Sequence, residues 1–220
     1  MKRVMIFLLC LALSGCQRFV DYQSRLDEVF ATAEDVITIR ANNYGDYYDY
    51  YIPSDTSEFN AGNLYALLDY ADSRFLMDVN IAGIVSKRYY PETVLEEDSF
   101  FDESRLVYEK RGIYVNNDDE TLDYIYKLYQ YDDNYLASLR SPDLIFYACI
   151  KEKDIVPLTS RMLLMAKGAH IKEDAVIADY SLKDVIDYEK KQVNLFETIM
   201  PVNGNINDFL VDKNDGQSGE

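Results

Sequence analysis

The chain has no tryptophan, one histidine, three cysteines and five prolines in 220 residues. A single histidine, His170, removes every zinc motif built on a histidine pair and leaves one imidazole for any catalytic triad. Basic residues are scarce beside acidic ones: 22 Lys and Arg stand against 39 Asp and Glu, a net charge of −17. Phosphate backbones need a basic face, so nucleic acid is a poor partner, and broad electrostatic contact with anionic lipid is unfavourable. No Gly-x-Gly-x-x-Gly, Walker loop, Gly-x-Ser-x-Gly or Ser-x-x-Lys motif occurs, so no dinucleotide, nucleotide or serine-nucleophile signature is present. The longest early apolar run, Val4 to Leu13, is too short to cross a bilayer.

That run lies between the basic pair Lys2-Arg3 and the small pair Ser14-Gly15, and Cys16 follows. The order of charge, apolar run and small residues predicts a secretory signal peptide over residues 1–15. Leu13-Ser14-Gly15-Cys16 resembles the lipobox of bacterial lipoproteins. The resemblance covers the leader only. It implies a diacylglyceryl group on the Cys16 thiol, cleavage before Cys16, and residence on the extracytoplasmic face of a membrane. Gln17 is not an aspartate, so no inner-membrane retention signal is offered if the envelope has two membranes. Cleavage removes Lys2 and Arg3 and no acid, so −17 becomes −19 in the mature chain. The acyl chains would hold the protein to the membrane while the acidic body stands off it.

Cysteine arithmetic then leaves Cys149 as the one free thiol: Cys10 departs with the leader and Cys16 carries lipid. No intramolecular disulfide is expected, so the fold must be held by its core. Cys149 lies in the apolar run Leu144–Ile150 and reads as a buried small hydrophobe.

Tyrosine is the abundant aromatic, with 20 copies against 10 phenylalanines. Its apolar body and polar tip suit half-buried sheets and binding surfaces alike. The spacing of Leu26, Phe30, Ala33, Ile37 and Ala41 predicts a helix over about 21–43. Tyr44–Pro53 follows as an irregular connection, with five tyrosines and two aspartates between positions 44 and 51. From about Asn63 to Ile150, period-two alternation predicts a β meander. Its turns are expected at Ala71–Arg74, Glu109–Gly112, Asp132–Asn134 and Ser141–Asp143. Leu144–Ile150 is apolar on both faces and is expected at the centre of the sheet. Ser141-Pro142-Asp143 and Asp118-Asp119-Glu120 could instead open helices. Helices are expected over Met162–Ala166, capped by Thr159 or Ser160 and ended by Gly168, and over Leu182–Met200. Lys213–Glu220 reads as a disordered polar tail. These elements make one α+β domain over 16–212, with a mainly antiparallel sheet, an N-terminal helix and C-terminal helices.

Chemistry-bearing residues do not converge in the sequence. Acidic runs at Glu96-Glu97-Asp98, Asp102-Glu103, Asp118-Asp119-Glu120 and Asp132-Asp133 sit in expected loops and read as solvated charge. Asp212–Gly216 only faintly resembles the opening of an EF-hand loop, with its glycine one place early. His170 reads as a surface or helix-end residue. No catalytic residue, cofactor site or metal site is assigned. Tyr44, Tyr47, Tyr48, Tyr50 and Tyr51 could pack the N-terminal helix, stack on sugars or recognise a protein. Asp46 and Asp49 resist full burial, so a split is expected, with some of these tyrosines docked and some exposed. The leading functional expectation is a non-enzymatic accessory or scaffolding lipoprotein, held to the membrane by its lipid and bound to a protein of the cell envelope. A lipoprotein binding a cation or a cell-wall saccharide is a first alternative, and a carboxylate-dependent hydrolase a second.

Overall fold

A computed structural model describes residues 22–91 and 101–180. The fold is α+β. Helix α1 (Tyr22–Ala31) leads into three short strands, β1 (Asn43–Tyr44), β2 (Tyr48–Tyr50) and β3 (Thr56–Ala61). Next come β4 (Tyr65–Tyr70), β5 (Ser73–Val79) and helix α2 (Ile81–Tyr89). Four long strands follow: β6 (Leu106–Val115), β7 (Thr121–Tyr131), β8 (Asn134–Arg140) and β9 (Leu144–Ile150). Helix α3 (Ile155–Gly168), strand β10 (His170–Ile171) and helix α4 (Glu173–Tyr180) complete the described chain.

Seven strands form one antiparallel sheet in the order β3-β4-β5-β9-β8-β7-β6. The apolar strand β9 is its middle strand, as its sequence requires. The single expected meander is corrected to two, β3–β5 and β6–β9, joined by pairing of Phe75–Val79 with Leu144–Ala148. A separate three-stranded sheet, β1-β2-β10, pairs Tyr44 with Asp49 and His170 with Asp49. Thus part of the segment read as an irregular connection is strand.

Period-two alternation divides the large sheet into two faces. On one face α1 and α3 lie over Phe75, Met77, Tyr124, Tyr126, Leu139 and Phe146, all buried. Phe30 of α1 stacks on Tyr124 at 5.1 Å and tilts against Tyr126 at 5.1 Å. Aromatic pairs of this kind contribute about 0.5–1.5 kcal/mol beyond their buried area. The opposite face gathers Leu67, Leu76, Phe101, Tyr129, Leu136, Ile145, Tyr147 and Cys149. Cys149 is buried there, and burial pushes its pKa up to about 12.

Several expected boundaries move, each for a physical reason. The N-terminal helix stops at Ala31 and not near Asn43, because the buried Lys167 ammonium takes the carbonyls of Thr32, Ala33 and Asp35 at 2.7–2.9 Å. A cation on the carbonyl end of a helix satisfies groups that no further turn then claims. Glu109–Gly112 is no turn: β6 is one continuous strand paired with β7 from Leu106 to Val115. Gly112 is required by closeness and not by a positive φ, since an added Cβ would meet the Tyr124 hydroxyl oxygen at 2.8 Å. Strand β5 ends at Val79, and the Asn80 side chain accepts a hydrogen bond from the Gly83 N–H to start α2. Helix α3 starts at Ile155, so Thr159 is interior; its hydroxyl donates to the Ile155 carbonyl at 2.7 Å and meets the Tyr126 hydroxyl at 2.8 Å. Ser141–Asp143 and Asp118–Glu120 are turns, not helix starts. The expected helix over Leu182–Met200 and the tail over Lys213–Glu220 lie outside the described residues.

The two ends of the sheet are built differently. At the entry end, where the described chain begins, the β4–β5 and β7–β8 hairpins turn through Ala71-Asp72 and Asp132-Asp133. There Tyr22 packs edge-on against Tyr135 at 5.9 Å. At the opposite end the β6–β7 and β8–β9 turns meet the start of α2 and the start of α4.

Candidate functional site

Two groupings at that opposite end carry chemistry. The first centres on Lys87 of α2. Its ammonium lies 3.0 Å from the Asp143 carboxylate in the β8–β9 turn and also pairs with Glu173 at the start of α4. One carboxylate oxygen each from Glu120, Asp143 and Glu173 lies within 4.8 Å of the other two. Asp143 is only 3% exposed. The Asn116 side chain, also buried, donates to Glu120 at 2.9 Å and accepts the N–H groups of Asp118 and Glu120. Asn80 donates from its backbone to the Asp143 carbonyl at 2.9 Å and from its side chain to the Ser141 carbonyl at 2.8 Å.

The electrostatics follow from the count of charges. Burial pulls Lys87 down, but Asp143 and Glu173 outweigh it and hold the ammonium above the ordinary lysine value. Burial pushes Asp143 up; Lys87 opposes this, while Glu173 and Glu120 reinforce it. Lys87 faces two acids that together outweigh its burial, whereas burial, reinforced by two further acids, outweighs the single ammonium at Asp143, so both groups move upward. The arrangement therefore works as a clasp that ties α2, the β8–β9 turn and α4 together. As a cation site it already contains a cation, the Lys87 side chain. As an acid/base pair it offers one carboxyl with a raised pKa, held in an ion pair.

The second grouping is the tyrosine strip, which the structure splits. Tyr48 and Tyr50 are buried, stacked at 5.0 Å, and the Tyr50 hydroxyl donates to Glu58 at 2.6 Å. Tyr47 is half-buried against Tyr180, and its hydroxyl donates to Asp179 at 2.6 Å, a hydrogen bond that raises its pKa. Tyr51 is half-buried beside Gly168, where an added Cβ would meet Ile39 Cγ2 at 2.8 Å. Tyr44 is 69% exposed, with its hydroxyl donating to the Ala41 carbonyl at 2.8 Å. In the loop after α1, Val36 is 71% and Ile37 42% exposed. Glu34, Asp35, Asp46, Asp118 and Asp119 are exposed around this loop, against the bases Arg40 and Lys172. The buried pair Tyr48 and Tyr50 thus serves the interior, and a recognition role narrows to Tyr44 with the half-exposed Tyr47 and Tyr51.

The remaining sequence candidates disperse. His170 is exposed, with Nδ1 2.7 Å from Asp118. Asp102 accepts from Ser104 and pairs with Arg105 at 3.3 Å. Glu103 accepts from Lys127 at 2.8 Å and Tyr129 at 3.1 Å. Cys16 and Glu96-Glu97-Asp98 lie outside the described residues. Lys87, Asp143, Glu173 and Lys167 are the side chains that sequence reasoning missed. Asp143 and Lys87 are 56 positions apart and no spacing rule joins them.

No known family model matches the chain, and no curated protein matches it.

Proposed function

We propose that this chain is a lipid-anchored extracytoplasmic accessory or scaffolding protein of a cell-envelope assembly, attached to the membrane through Cys16 and bound to a protein partner. The divided tyrosine strip carries the reading. Tyr48 and Tyr50 fix the segment to the interior, while Tyr44, Val36 and Ile37 stand exposed in an acidic surround. Aromatic side chains held rigidly at a surface are favoured anchors in protein recognition. The acidic charge disfavours nucleic acid as the partner.

The cation-binding alternative has three close carboxylates in its favour, but Lys87 compensates them internally. The hydrolase alternative needs two acids facing a substrate cleft, and the raised Asp143 is held by Lys87 instead.

Purification of the native lipidated protein from mild detergent, after cross-linking, tests the proposal. The wild type should bring down a defined envelope protein. The Tyr44→Ser/Ile37→Ser double variant should lose it while melting within about 2 °C of wild type, since exposed positions contribute little to stability. Retention of the same partner by the double variant overturns the assigned surface. An unlipidated mature chain, read by mass, overturns the anchor.

A further inference from the structure

Resting on the lipoprotein reading, we propose that the anchored domain keeps its entry end toward the bilayer, with the Val36–Tyr44 loop and the Lys87 clasp directed away from it. The partner at the entry end is thus a lipid surface, and the opposite end is left open to a protein.

The argument is one of reach. Six Cα steps separate Cys16 from Tyr22, and a fully extended chain covers at most about 22 Å in six steps. Tyr22 is fixed at the entry end by its ring contact with Tyr135, and Gln23 donates to the Val107 carbonyl at 3.2 Å. From there α1 runs toward the opposite end: Phe30 meets Tyr124, and the Ala33 carbonyl receives the Val115 N–H. Tyr135 pairs with Gln130 of β7, and β7 begins at Thr121. At about 3.3 Å per residue, that stretch of β7 places its far tip about 30 Å from the level of Tyr22. An inverted domain, clasp down, would need a tether longer than the chain supplies.

The entry end carries charge of both signs. Asp72, Asp132, Asp133 and Glu152 are partly offset there by Lys151 and Lys153, the latter 3.3 Å from Asp72.

Four variants of the full lipidated protein test this: Asp133→Cys at the entry end, Ile37→Cys at the opposite end, and Asn60→Cys and Arg111→Cys on the two sheet edges. Cys149 is buried and does not compete for the label. Each is labelled with a small fluorophore and reconstituted in phosphatidylcholine vesicles, with or without phosphatidylglycerol, containing lipids with nitroxide headgroups. Flotation and intact mass report the anchor independently. The Asp133 label should lose most of its fluorescence, the edge labels little, and the Ile37 label none, with or without the anionic lipid. If a floating, acylated protein quenches most at an edge or at Ile37, the orientation is overturned and the anchor stands. If the chain carries no acyl mass and does not float, both fall.

Discussion

The two ends of this sheet solve the same problem, turning strands around, by different means. The entry end closes with local hairpins in which Tyr70 pairs with Ser73 and Tyr131 with Asn134. The opposite end is knitted from distant parts of the chain. Lys87, Asp143, Glu173 and Glu120 come from α2, two turns and α4, and Lys167 of α3 ties down the end of α1. A local turn depends on its own few residues. A clasp depends on residues far apart in the chain, and removing Lys87 leaves the Asp143 carboxylate buried without its ion-pair partner.

The largest effect should come from Lys167. It is 2% exposed and donates to three backbone carbonyls. Hydrogen bonds from a charged donor contribute more than neutral ones, and Lys167→Met strands all three acceptors, so a loss of about 4 kcal/mol is expected. Asp133→Asn at the entry end should change stability by less than about 0.5 kcal/mol. Urea denaturation of both variants checks this contrast, and equal losses would erase the distinction between the ends.

Lys87→Met comes next, at about 3 kcal/mol, because Asp143 remains buried and charged. Adding Asp143→Asn should return part of that loss. The pH dependence has a definite sign. Lys87 is raised in the folded state, so its contribution is complete below the ordinary lysine pKa of about 10.4 and is lost as pH rises through the folded value. Asp143 is also raised, so the folded state holds its proton more tightly, and this cost is relieved as pH falls. Melting curves through the alkaline range should therefore lose one component in Lys87→Met.

This contrast also explains what was legible in the sequence. The entry-end turns at Ala71 and Asp132, the central place of β9, the burial of Cys149 and the split of the tyrosines follow from period-two patterning, turn residues and the cost of burying Asp46 or Asp49. The early stop of α1 does not, because its cause is a lysine 134 positions away. Helical spacing over Ile37 and Ala41 was sound as pattern, yet the cation ends the helix first. Glu109–Gly112 looked like a turn because charges and a glycine interrupt an apolar run. On this edge strand Glu109 and Arg111 face solvent, Lys110 reaches Asp27 of α1, and the glycine makes room for a tyrosine ring. The clasp was unreadable for the same reason as Lys167: its members share no spacing.

Gly83→Ala sharpens the comparison at smaller cost. A Cβ there would run into the Pro142 carbonyl oxygen and the Asn80 side chain, both parts of the clasp end. Alanine is otherwise the better helix former, by about 1 kcal/mol. Close packing against a backbone oxygen should reverse that preference and cost about 1–3 kcal/mol. A stabilised Gly83→Ala would mean that α2 moves freely over the β8–β9 turn.

The smallest effect has the opposite sign. Ala71 has φ of 50° and Asp132 has φ of 47°, each as the first residue of its two-residue turn. A left-handed backbone costs an alanine about 1–2 kcal/mol, while aspartate tolerates it better through local hydrogen bonds. Glycine removes that strain but brings a more flexible unfolded chain, which takes back part of the gain. Ala71→Gly should thus stabilise by about 0.5 kcal/mol, a rise of about 1–2 °C in Tm for a domain of this size. Asp132→Gly should gain less. Because the turn is local, this gain should add to any clasp-end loss when Ala71→Gly is combined with Lys87→Met. Non-additivity measured in that double variant would mean that the two ends are coupled through the sheet, and the division between a local end and a knitted end would fail.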